Sequence, residues 1–224
     1  MIVPSVFWQF FQSSEDYYEH YPLAAINRGL RMAAFFIVVG LTAAYVAAAT
    51  FHQEMIPTPL LLAMAAVREP VPLPTVLEAL LLETILEGLR EAGLRLPKPA
   101  GQAVSIVGAL VMGQAAVAAG LVSPQMVIVV GLGAVASFLI PDYSFVNALR
   151  VLKFLFIILA GSFGAFGLMI GYMVLGIHLN SLQTFGVPYT APVTPFSFKD
   201  MKDIFFRAPW WAMGKQVPKE RGKK

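Results

Sequence analysis

The chain has 224 residues, 58% of them hydrophobic and only 13% charged, and its mean hydropathy is +0.70. A soluble domain carries roughly 25% charged residues, so this composition excludes an ordinary cytosolic enzyme, a disordered segment and a nucleic-acid module. Cysteine is absent, which removes disulfides, thiolate metal sites and cysteine nucleophiles. The net charge of +3 is uneven: residues 199–224 hold eight Lys/Arg against three Asp/Glu, and the remainder is slightly acidic. A basic end on an apolar body reads as an all-α membrane protein, a polytopic helical bundle with a cytoplasmic tail.

Residues 1–27 carry the acids Glu15, Asp16 and Glu19 and read as a linker or domain end ahead of a membrane region over 28–184. Met32–Phe51 is the first uncharged stretch, long enough for the roughly 20 apolar residues that cross about 30 Å of hydrocarbon. It starts too late, behind those acids, for a cleavable signal peptide. Met55–Val67 holds two prolines and is too short to span, so it reads as an interfacial or re-entrant piece. Pro74 then opens an amphipathic helix over Thr75–Ala92, which Gly93 and Pro97 should end.

At 100° per residue, Glu83, Glu87, Arg90 and Glu91 share one face of that helix. Leu77, Leu81, Leu82, Ile85, Leu86 and Leu89 share the other. Two readings stand for it. The helix lies flat among headgroups with its charges in water, or its carboxylates line an aqueous cation path. Glu78, Glu83, Glu87, Arg90 and Glu91 are therefore the candidate pore or gating residues. Glu78 projects into the leucine face, where an acid must reach the interface, find a partner or hold a proton. Its place in the first helical turns is also favoured by the helix dipole.

Pro99–Pro141 is uncharged over twice the needed length, and Gly120-Leu-Val-Ser-Pro124 divides it into two helices joined by a tight turn. Phe154–Ile177, between Lys153 and His178, makes about four transmembrane helices in all. Four spans place the Arg28/Arg31 end and the basic tail in the cytoplasm, but they leave Arg150 and Lys153 outside, which the positive-inside rule disfavours. A fifth span at Thr75–Ala92 would bring those two inside and expel the tail. The pairs Ala109/Gly113, Ala116/Gly120, Ala160/Gly164 and Gly167/Gly171 each stand four apart. Such small faces let backbones approach in lipid and predict a tight bundle or a homo-oligomer.

Residues 185–224 form the basic tail, where Trp210 and Trp211 suit an aromatic anchor at the membrane surface. Gly131-Leu-Gly133-Ala-Val-Ala136 matches a loose dinucleotide pattern, but it lies inside an apolar helix with no preceding strand. His20, His52 and His178 are far apart, and no catalytic constellation or metal-ligand cluster emerges. The expectation is a non-enzymatic protein without a cofactor.

Several blocks carry a resemblance. They are Ser14-Glu-Asp-Tyr-Tyr-Glu19, Arg90-Glu-Ala-Gly-Leu-Arg-Leu-Pro-Lys-Pro99, Gly101-Gln-Ala-Val-Ser-Ile-Val-Gly-Ala-Leu110, Gly113-Gln-Ala-Ala-Val117 and Ala119-Gly-Leu-Val-Ser-Pro124. Ile140-Pro-Asp-Tyr143, Phe185-Gly-Val-Pro-Tyr189 and Arg207-Ala-Pro-Trp-Trp211 follow in the same order. Together they resemble the membrane region of the GerA-type spore germination receptor A subunits. The resemblance implies a multi-pass protein of the spore's inner membrane, partnered by a transporter-like B subunit and a C lipoprotein. It also implies an oligomer that conducts monovalent cations or transduces the germination signal. Members of that family carry a soluble domain before the first span, so the chain is expected to begin at that domain's end. A scaffold for the B subunit and a small secondary transporter are the alternatives.

Overall fold

The computed structural model of the chain describes residues 5–95, 97, 108–109 and 111–194. Among these residues it is predominantly helical. The helices are α1 (Tyr21–Thr50), α2 (Thr58–Arg68), α3 (Thr75–Arg95), α4 (described over 108–109 and 111–118), α5 (Pro124–Ser137) and α6 (Tyr143–Ser181). A small antiparallel ribbon pairs Gln183–Thr184 with Val187–Pro188. The described residues among 1–33 and 176–224 form one compact unit, and those among 34–175 form another.

In the first unit the N-terminal residues fold onto the ribbon. The Phe7 N–H donates to the Tyr189 carbonyl at 2.8 Å, and the Trp8 indole N–H donates to the Thr190 carbonyl at 3.2 Å. Phe7 packs edge-on against both Trp8 and Phe11. Asp16 lies in a short 3-10 turn capped by Ser13 and is fully buried. Its carboxylate receives Arg31 Nη1 at 2.7 Å on each oxygen, with Arg28 Nε at 3.7 Å. Two arginines that sequence alone places in the cytoplasm are therefore committed to an internal acid.

In the second unit the helices run side by side. Thr42 of α1 meets Glu83 of α3, Ser123 opening α5 meets Glu78, and Ser137 closing α5 meets Arg90. So α3 and α5 run parallel, and α3 runs antiparallel to the first part of α6, where Lys153 meets Glu83 and Arg150 meets Glu87. Helices α4 and α5 form a hairpin around Gly120, whose φ of 67° is a left-handed value natural to glycine. Ser123 caps α5, with Pro124 at its first helical position. The turn lies where the sequence predicts it. Helix α3 passes Gly93 and ends two residues later, at Arg95.

The predicted span Phe154–Ile177 is where the structure differs most. At Gly164 the backbone leaves the helix with φ 62° and ψ −143°, and the chain turns back on itself. The Phe156 and Tyr172 rings lie 4.7 Å apart, although sixteen residues of straight helix would separate them by about 24 Å. Gly167 sits so tightly on the first arm that a Cβ would overlap the Leu159 carbonyl, and Gly171 fits against Phe156 and Leu159. Glycine at 164 permits the reversal, and glycines at 167 and 171 permit the arms to touch.

Two helices, α1 with 30 residues and α6 with 39, are long and apolar enough to cross a membrane. Helix α5 has 14 residues, about 21 Å at 1.5 Å per residue, so helix length alone does not delineate the four predicted spans.

Gly164→Ala should destabilise the protein. A Cβ there would stand 2.8 Å from the His52 ring and 3.0 Å from Phe51, on a backbone that L-residues avoid. The expected loss is about 1–3 kcal/mol, read as a lower midpoint of thermal unfolding in detergent. Gly176→Ala, in open helical surroundings, should leave that midpoint unchanged or raise it.

Candidate functional site

Many of the charged residues of the second unit gather along α3. Glu78 is fully buried, and its Oε1 accepts both the N–H and the hydroxyl of Ser123, each at 2.5 Å. Because Ser123 caps α5, this carboxylate faces the positive end of that helix. Arg68, closing α2, stands 3.9 Å from its other oxygen.

One turn and a little further on, Glu83 is again fully buried. Its Oε1 accepts the Thr42 hydroxyl at 3.1 Å, and its Oε2 is paired with the Lys153 ammonium. Thr42 and Lys153 are themselves buried, so both charges of this pair are withdrawn from solvent. Glu87 then bridges two guanidinium groups, Arg90 at 3.0 Å and Arg150 at 3.6 Å. Arg90 also donates to Ser137 Oγ at 3.3 Å, and Arg150 lies over the Tyr143 ring. Glu91 is exposed and pairs with Arg95 of its own helix. Glu87 and Glu91 border an open groove shared with Tyr143, Asn147 and Arg150.

The result is a ladder of charges spanning about 20 Å of one helix. Its sidedness is the reverse of a soluble helix. Glu78 and Glu83 are at 0% exposure, while Leu77 and Leu81 are 51% and 40% exposed. Helices α5 and α6 likewise present Ile128, Val135, Val151 and Leu155 outward. In water that arrangement forfeits the hydrophobic term; in hydrocarbon it is the favourable one.

Of the residues predicted to pack helices, Gly113 is buried against Val127 of α5, at 3.3 Å from a notional Cβ. Ala109 and Ala116 are half-buried on the same helix. Gly120 and Gly164 serve chain reversals rather than helix faces. Trp210 and Trp211 lie outside the described residues. Sequence reasoning missed the partners Thr42, Arg68, Ser123, Arg150 and Lys153. The available signal was spacing: Arg150 and Lys153 stand three apart, as Glu83 and Glu87 stand four apart, so each pair forms one helix face.

Removing one member of a buried pair strands the other. Lys153→Met should lower stability by about 3–5 kcal/mol, whereas Lys153→Met with Glu83→Leu should lose far less. Unfolding of the single and double variants in detergent, compared with wild type, measures the difference.

Known proteins match this chain closely. The family model described as Bacillus/Clostridium GerA spore germination protein matches residues 1–219. "Spore germination protein KA" of Bacillus subtilis (strain 168) is 55% identical over 95% of the chain and 39% of its own length. "Uncharacterized membrane protein YfkQ" of the same organism is 50% identical over 94% of the chain and 41% of its own length. "Spore germination protein GerLA" of Bacillus cereus is 44% identical over 93% and 42%. The chain thus spans about two fifths of the length of these curated relatives. No solved structure matches it. With the family model matching almost from end to end, the chain belongs to the Bacillus/Clostridium GerA spore germination protein family.

Proposed function

We propose that this chain is the membrane-embedded part of a germinant-receptor subunit that helps trigger spore germination, in the inner membrane of the spore. It acts without catalysis, as an oligomer that conducts monovalent cations or transduces the signal, beside a transporter-like B subunit and a C lipoprotein. The relatives' names support the germination role, and one relative is named a membrane protein. The observation that carries the membrane part is the placement of Glu78 and Glu83 inside while Leu77 and Leu81 of the same helix face out. Glu87 and Glu91 border the open groove, and a cation passing there would compete with Arg150 and Arg95 for their carboxylates.

On this reading the polypeptide makes six passes of alternating direction. They are α1, α3, α4, α5 and the two arms of α6, rather than the four counted from uncharged stretches. With the start of α1 cytoplasmic, the turn at Leu121 faces out and Ser144 faces the cytoplasm. Four passes reverse both. Single cysteines at these two positions, probed with an impermeant thiol reagent, separate the readings. Labelling of Leu121→Cys but not Ser144→Cys from outside is expected; the opposite pattern sinks the six-pass topology.

Conduction is tested separately. Protein reconstituted into potassium-loaded liposomes should release potassium, and Glu87→Gln with Glu91→Gln should cut the initial rate several-fold at equal protein level. Absence of release from the wild-type oligomer supports the scaffold reading instead.

A further inference from the structure

Helix α3 carries three acids at four-residue spacing, Glu83, Glu87 and Glu91, opposite only two bases on α6, Lys153 and Arg150. The register seen uses the first two acids. Lys153 takes Glu83 and Arg150 takes Glu87, and Glu91 is left to the exposed Arg95. A second register exists on the same ladder. If α3 slides by one turn along α6, Lys153 meets Glu87 and Arg150 meets Glu91, and both bases remain paired.

We infer that α3 and the first arm of α6 form a two-position ratchet, with the observed register as one of its two states. Three features favour the exchange. Glu91 and Arg150 already border the same open groove. The Glu91–Arg95 pair lies at the surface, with side chains 63% and 79% exposed, and such pairs hold weakly. The Arg150–Glu87 contact is long, at 3.6 Å. Sliding by one helical turn is an established kind of switching motion, because packed helices have discrete registers rather than a continuum.

Three polar contacts hold the register seen. Ser123 binds Glu78 through two hydrogen bonds, Thr42 with Lys153 binds Glu83, and Arg90 binds Ser137. Sliding releases all three, and leaves both Glu83 and Glu78 as buried acids without their partners, which is strongly unfavourable. Neutralising Glu78 and Glu83 together removes that obstacle and frees Lys153 for Glu87. The ratchet is therefore biased by the charge at two buried positions. It goes beyond conduction, since the motion is defined whether or not ions pass.

The absence of cysteine makes the motion measurable by paired spin labels at exposed sites. Leu77 and Val151 form one pair, and Leu94 and Ile158 the other; all four are at least half exposed. In Glu78→Gln with Glu83→Gln, sliding by about 5.4 Å should lengthen the Leu77–Val151 distance and shorten the Leu94–Ile158 distance, each by about 4 Å. Adding Glu91→Gln removes the destination of Arg150 and should restore both distances toward wild type. General loosening would lengthen or broaden both pairs together. Unchanged distances in Glu78→Gln with Glu83→Gln, or changes of the same sign in both pairs, overturn the ratchet.

Discussion

The core of the second unit depends on one buried ion pair. An ammonium and a carboxylate can both leave water only as neighbours, because an unpartnered charge in the interior carries a penalty that packing does not offset. Lys153 and Glu83 meet that condition, and the Thr42 hydroxyl donates to the other oxygen of the acid. Three helices are thereby fixed at one level: α1 through Thr42, α3 through Glu83 and α6 through Lys153. Apolar packing tolerates small displacements along a helix axis; this contact does not. It supplies register where the leucine-rich surfaces supply only cohesion.

Glycine supplies the complementary constraint. In hydrocarbon, helices gain little from hiding apolar surface from one another, so contact area and backbone proximity decide how they associate. Gly167 and Gly171 bring the second arm of α6 onto the first, Gly113 admits Val127, and Gly161 sits directly on the Val76 side chain. Each places a backbone where an alanine would already collide or crowd. The charges set where along their length helices meet, and the glycines set how closely.

Much of this was legible in the sequence, and the exceptions have physical causes. The uncharged stretch after Arg31 announces α1, and Pro74 announces α3. Gly120 followed by Pro124 announces the turn between α4 and α5, because one residue favours a left-handed backbone and the other opens a helix. Gly164 gives no comparable signal. Glycine is common inside membrane helices, and no proline or charge accompanies this one to distinguish a reversal from a packing contact. Periodicity sorts the faces of a single helix correctly, yet it does not say which face turns inward, since that depends on the solvent outside. Glu78 and Glu83 fall on different sequence faces, and both are buried because α3 is enclosed by α1, α5 and α6. The partners of those acids come from distant parts of the chain, and no local pattern links Thr42 or Lys153 to Glu83.

The reversal at Gly164 has a consequence for how such a protein is mapped. On the proposed six-pass reading, counting by apolar stretches omits one pass at α3 and a second where α6 folds back, and two omissions preserve parity. A reporter placed after α6 therefore sits on the same side of the membrane whether the polypeptide makes four crossings or six. Only the interior of the chain changes sides between the two counts, and with it the compartment from which Arg150, Glu87 and their groove are reached. Accessibility measured at the ends of the molecule is blind to the geometry of its middle.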